Sequence, residues 1–150
     1  MKPIVTHSPE ETRALGARLA AHLAPGDVIL LGGDLGAGKS EFARGVARGL
    51  GISSPVPSPS FTILNMYEEG RCPLYHFDWY RIESPEEIYE MGMEEHLGGD
   101  GIALVEWSER AAECLPQRLL RVRIAPLSAE SRTIEFLPEG GFDFKEEWLQ

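Results

Sequence analysis

Val28-Ile29-Leu30-Leu31 runs straight into Gly33-Asp34-Leu35-Gly36-Ala37-Gly38-Lys39-Ser40, and this stretch decides the fold. The last eight residues are a complete Walker A (P-loop) sequence. The apolar run before them suits a buried strand. A helical pattern, Phe42, Val46 and Leu50, follows and is closed by Gly51. A strand, a glycine-rich turn and a helix in this order give the motif a mechanism. The glycines allow successive backbone N–H groups to converge on phosphate oxygens. The helix N-terminus adds partial positive charge at the same place. Lys39 is then in reach of β- and γ-phosphates, and the Ser40 hydroxyl is a ligand for Mg²⁺. A glycine-rich turn without phosphate is the plainer alternative, but glycines, lysine, hydroxyl and flanking elements all agree against it.

The chain has 150 residues, with 43% hydrophobic and 25% charged residues. That length predicts one domain with a core of its own. No apolar run approaches the ~20 residues of a membrane span, and the first residues, Met1 to His7, carry no signal-peptide core. Cys72 and Cys114 stand alone, with no C-x-x-C pair. This usage predicts neither a zinc site nor a disulfide framework, and a reducing cytoplasmic setting. Net charge is −10, from 24 acids against 14 bases. Strong binding of DNA or RNA by the isolated chain is not expected, because phosphate contacts come from basic faces.

Working outward, Ser8-Pro9-Glu10-Glu11 reads as a capping box opening a helix with Leu15, Leu19 and Leu23 on one face. The helix is expected to stop before Pro25-Gly26. Residues 53–60 contain Pro55, Pro57 and Pro59 and are predicted to be a loop over the nucleotide. Phe61 to Tyr67 and Cys72 to Phe77 read as a β-hairpin around Glu68-Glu69-Gly70-Arg71. Ser84-Pro85-Glu86-Glu87 opens a second capped helix that Gly92 bends or ends. Ile102 to Val105 is a second wholly apolar strand, ending at Glu106-Trp107, with Ser108 heading a short helix to about Leu115. Leu120, Val122 and Ile124, then Ile134 and Phe136, alternate with polar residues and predict a hairpin at one sheet edge. The tail, Phe142 to Gln150, is either a packed short helix or a partner-binding segment.

A P-loop alone binds phosphate; hydrolysis also needs a metal partner and a group that places the nucleophile. Glu106 closes an apolar strand, where open α/β sheets bind ligands, so Ser40 and Glu106 are the expected Mg²⁺ pair. The alternative is a strand-end glutamate facing solvent. His76 and Asp78 alternate with Phe77 and share one face of an extended segment. They either orient water and reach the metal, or serve as a structural histidine and a turn-capping aspartate. Trp107 points away from Glu106 if the strand continues, and either stacks on a ring or fills core. Arg44, Arg48 and Arg110 are candidate phosphate or partner contacts, against the plainer reading of solvated helix faces.

With these residues in place, the chain resembles the TsaE (YjeE-type) family of P-loop ATPases in bacterial tRNA threonylcarbamoyladenosine synthesis. Four blocks carry the resemblance: residues 33–40, Ser58-Pro59-Ser60-Phe61-Thr62, Tyr75-His76-Phe77-Asp78-Trp79-Tyr80-Arg81, and Leu104-Val105-Glu106-Trp107. The resemblance implies binding and slow hydrolysis of ATP with Mg²⁺. It implies work with TsaD-like and TsaB-like proteins on adenosine 37 of ANN-decoding tRNAs, with tRNA met only within the complex and no membrane or DNA partner. It places Lys39, Asp78 and Glu106 in catalysis, and Ser40 and Glu106 at the metal. Gly33, Leu35, Gly36, Ala37, Gly38, Lys39, Ser40, Glu41 and Trp107 fall at the nucleotide, with a switch-like loop around Ser60. Ser40 and Ser60 stand where the family has threonine, Trp79 where it has leucine, and Glu41 where it has a small hydroxyl residue.

The expected fold is a single α/β domain over residues 1–150, with 140–150 a candidate tail. It is P-loop NTPase-like and three-layered, with a mostly parallel central sheet and antiparallel edge hairpins. Two rival functions are a small-molecule P-loop kinase and a non-catalytic, nucleotide-gated binding module. The kinase would need an arginine-rich lid, whereas Arg110, Arg118, Arg121 and Arg123 are spread out. A GTPase would need an Asn-Lys-x-Asp motif, which the sequence lacks.

Overall fold

Ser8 starts the first helix as the residue pattern requires. In the computed structural model, which describes residues 1–34 and 36–150, its hydroxyl accepts a hydrogen bond from the Glu11 N–H at 3.1 Å, with Pro9 in the first turn. The Glu11 carboxylate reaches back to the His7 N–H. This helix, α1 (Pro9–Ala20), packs on α2 (Lys39–Gly49). The two backbones come very close. A Cβ built on Gly45 would lie 2.0 Å from the Arg13 carbonyl oxygen, and one on Gly16 would lie 2.5 Å from that of Phe42. Only hydrogen fits at those two positions.

Among the described residues, seven strands form one sheet: β1 (Ile4–Thr6), β2 (Val28–Gly32), β3 (Leu64–Tyr67), β4 (Leu74–Asp78), β5 (Ile102–Glu106), β6 (Leu119–Pro126) and β7 (Arg132–Glu139). Their order is β1-β7-β6-β2-β5-β4-β3. The β6–β2, β2–β5 and β5–β4 pairs are parallel, and the three outer pairs are antiparallel. The central strands are buried on both faces, which is why they read as unbroken apolar runs. Alternation along them sorts two cores. Ile29, Leu31, Ile102 and Leu104 face α1 and α2, while Val28, Leu30, Ala103 and Val105 face the other side with Trp79 and Ile88. The sheet thus lies between α1 and α2 on one side and α3 (Glu86–Glu90) with the turns around it on the other.

Several expectations are corrected. Phe61 to Ile63 is not strand: Ile63 has φ +69° and its N–H bonds to the Pro59 carbonyl, so this stretch turns and only Leu64–Tyr67 pairs with β4. The β6–β7 hairpin is not at an edge. β6 lies directly beside β2, and β1 covers the outer side of β7. β1 is three residues long, too short to show a period of its own. The helix after Trp107 is a pair of 3₁₀ turns, Ser108–Cys114, broken at Ala111. The tail packs rather than projecting. Phe142 and Leu149 are buried, Phe144 stacks on Phe136, and Trp148 stacks on His22 at 5.0 Å. Among the described residues no helix is long and apolar enough to cross a membrane.

Candidate functional site

Parity along the parallel strands gathers the site. Leu74 and Ile102 face the α2 side, so His76 and Asp78 on β4 and Glu106 on β5 do too. Asp78 and Glu106 are register partners at the C-terminal ends of adjacent strands. β2 ends beside them and delivers the chain through Gly33, at φ +147°, into the P-loop and α2.

Lys39 and Glu106 meet there, Nζ 3.9 Å from Oε1, both nearly inaccessible at 7% and 4% exposure. Burying such charges is costly unless they are paired. The second carboxylate oxygen of Glu106 accepts a hydrogen bond from His76 Nε2 at 2.7 Å. His76 is therefore a direct partner of Glu106, which spacing left open. Asp78 accepts from the Tyr80 N–H at 2.8 Å and from the Ser60 hydroxyl at 3.3 Å. It thus caps its turn and also ties the proline-rich loop to the sheet. Arg81 adds a bond from Nε to the Ser60 carbonyl.

A cavity of about 290 Å³ opens over these groups. Gly36, Gly38, Lys39, Ser40, Glu41, Ser58, Ser60, Asp78, Glu106, Trp107 and Arg132 line it. Leu35 lies outside the described residues. Gly33 and Ala37 shape the loop, with the Ala37 N–H bonded to the Asp34 carbonyl at 3.0 Å. The Glu41 carboxylate is paired with Arg13 and Arg44, so its charge beside Ser40 is offset from outside the cavity. Arg44, Arg48 and Arg110 are not in this lining; Arg110 lies over the Tyr80 ring instead. A larger cavity of about 780 Å³ lies beside Arg44, Arg48 and Pro55 to Pro57, and among the described residues no acid or lysine lines it.

Trp107 is placed differently from the expectation of a continuing strand. The strand stops at Glu106 and Trp107 takes φ +58°, a left-handed turn. That reversal brings its indole back over the P-loop, 4.4 Å from Lys39 Nζ and against Tyr80. Trp79, by contrast, is wholly buried core. Arg132 was not legible in the sequence. It sits at the start of β7, and its Nε donates to the Ala37 carbonyl at 2.8 Å across 95 residues of chain. No local motif announces such a contact.

A glycine-rich strand–turn–helix at the C-terminal edge of a parallel sheet, with a lysine, a hydroxyl and a strand-end acid around one cavity, defines a P-loop NTPase-like α/β protein. Comparison with known proteins narrows this. The family model described as "Threonylcarbamoyl adenosine biosynthesis protein TsaE" matches residues 6–134. The chain belongs to the TsaE family. It is similar to the tRNA threonylcarbamoyladenosine biosynthesis protein TsaE of Bacillus subtilis, at 46% identity over 90% of this chain and 84% of that one. The protein of the same name from a Nostoc species is 42% identical over 92% and 86% of the two chains. The crystal structure of Bacillus subtilis YdiB superposes with a TM-score of 0.80 at 42% identity, covering 92% of this chain and 85% of that one.

Proposed function

We propose that this chain binds ATP with Mg²⁺ in the P-loop cavity and hydrolyses it in support of threonylcarbamoyl modification of adenosine 37 in ANN-decoding tRNAs. In this reading it acts on a TsaD–TsaB-like transferase complex and meets tRNA only there. The observation that carries the reading is the convergence of Lys39, Ser40, Asp78 and Glu106 on one cavity at the P-loop. The family name and the relatives' names support its place in threonylcarbamoyl adenosine synthesis.

The residues suit the chemistry. Ser40 and Glu106 offer hard oxygen donors, and Mg²⁺ in such sites takes few protein ligands beside phosphate and water. When bound, the ion would offset charge on the phosphates. Lys39, paired with Glu106, would have a stronger partner in a triphosphate and would leave the carboxylate for it. His76 then holds the freed Glu106 in place. Asp78, fixed by Tyr80 and Ser60, orients the attacking water at the γ-phosphate. Loop residues Ser58 and Ser60 line the same cavity, so an occupied site would be coupled to the surface of the proline-rich loop.

The test is a reconstituted tRNA modification assay beside calorimetry. Lys39→Ala should weaken ATP binding by about a hundredfold or more, as loss of charge-assisted phosphate bonds implies. Glu106→Ala should retain binding but lose both hydrolysis and modification. Modification that persists without hydrolysis would instead favour a nucleotide-gated binding module.

A further inference from the structure

Arg132 has a position that the chemistry assigned to Lys39, Asp78 and Glu106 does not use. Its backbone is locked in the sheet on both sides, opposite Thr6 of β1 and Pro126 of β6. Its Nη1 donates to the carbonyls of Ser128 at 3.1 Å and Ser131 at 2.9 Å, within its own turn. These contacts leave the guanidinium little freedom. From that fixed mount, Nε donates to the Ala37 carbonyl of the P-loop at 2.8 Å. The side chain also lies flat against Gly38. A Cβ there would meet Arg132 Nε at 3.3 Å and its Cδ and Cγ at 3.6 Å, and Gly38 takes φ +106°.

A trans peptide links the Ala37 carbonyl and the Gly38 N–H rigidly, pointing them in opposite directions. Whatever holds the one therefore aims the other. A phosphate cradle works only if its amide hydrogens face the ligand and its carbonyls face away. Resting on the nucleotide reading of the site, we infer that Arg132 is a positioning residue of the phosphate cradle. By holding the Ala37 carbonyl toward β7, it presets the Gly38 amide for phosphate. The cradle is thus pre-organised by a residue from the far end of the chain, which spares the loop an ordering cost on binding.

The cradle serves the inner phosphates, so ATP and ADP should depend on Arg132 alike. The experiment compares full-length wild type, Arg132→Ala and Arg132→Lys by calorimetry with ATP·Mg²⁺ and ADP·Mg²⁺. Thermal unfolding and ¹⁵N-glycine spectra of the ligand-free proteins accompany it. The expected result for Arg132→Ala is an affinity about tenfold lower for both nucleotides, the loss of one charge-assisted bond, with a displaced or broadened Gly38 amide resonance. Arg132→Lys, which keeps one donor, should recover part of each effect, and it decides the matter if the alanine variant does not fold. Lower melting temperature with unchanged affinity and Gly38 resonance would reduce Arg132 to a pin for the hairpin. A loss confined to ATP would mean direct contact with the γ-phosphate and overturn the inference. Wild type that binds neither nucleotide would defeat the nucleotide reading itself, an outcome separate from any difference among the variants.

Discussion

His76 Nε2 lies 2.7 Å from Glu106 Oε2, while Lys39 Nζ approaches the other oxygen of the same carboxylate at 3.9 Å. A buried acid is held from two sides, by one partner that the proposed phosphate would draw away and one that it would leave in place. Removing the histidine partner should therefore be felt both in stability and in turnover. His76→Ala leaves a buried carboxylate oxygen unsatisfied and should cost about 1–3 kcal/mol in urea denaturation. Steady-state assays should show ATP turnover falling by about tenfold or more with nucleotide affinity little changed. His76→Gln keeps an N–H near the Nε2 position and should recover most of both. Equal behaviour of the glutamine and alanine variants would contradict a positioning role.

Trp107 offers an optical report of the proposed movement of Lys39. Its ring centroid lies 4.4 Å from the ammonium. If Lys39 moves to phosphate, that cation–π contact weakens and the indole environment changes. Adding ATP·Mg²⁺ should alter the tryptophan emission, and Trp107→Phe should abolish the change although Trp79 and Trp148 remain. An undiminished change in that variant would assign the signal elsewhere.

Gly45 sets how closely the P-loop helix lies on α1. Its missing side chain would sit 2.0 Å from the Arg13 carbonyl oxygen, and backbone cannot yield as a side-chain tip does. Gly45→Ala gains about 1 kcal/mol of helix propensity but forces the two helices apart. Overpacking of this kind costs about 3 kcal/mol. The net expectation is a destabilisation of about 2 kcal/mol by chemical denaturation, together with weaker nucleotide binding as α2 shifts. A variant as stable as wild type would show that the helix pair can slide at no cost.

Tyr75 supplies a pH dependence. Its hydroxyl donates to Asp100 at 2.6 Å, and that bond, with burial, pushes the phenol up to about 12. In the unfolded chain a tyrosine titrates near 10, roughly. The neutral phenol is thus favoured by folding. Its stabilising contribution is complete below pH ~10 and is lost as the pH rises toward the folded value. The stability difference between wild type and Tyr75→Phe should shrink across that interval. Tyrosinate absorbance of the variant should lack the latest-titrating phenol of the wild type.

Sequence alone determined the parts whose causes are local. The P-loop, the capped start of α1 and the apolar strands β2 and β5 are legible because glycine placement, capping chemistry and side-chain period act over a few residues. Period-two alternation likewise put His76 and Asp78 on one face. Only the tertiary structure decided which charges meet. The register of β4 against β5 set Asp78 beside Glu106, and the left-handed turn at Trp107 carried its ring back to Lys39. β1 closed an edge that three residues could not announce, and Arg132 reached Ala37 from 95 residues away. These contacts depend on strand order and register, which distant segments settle together by burying a shared core, so no window of sequence contains them.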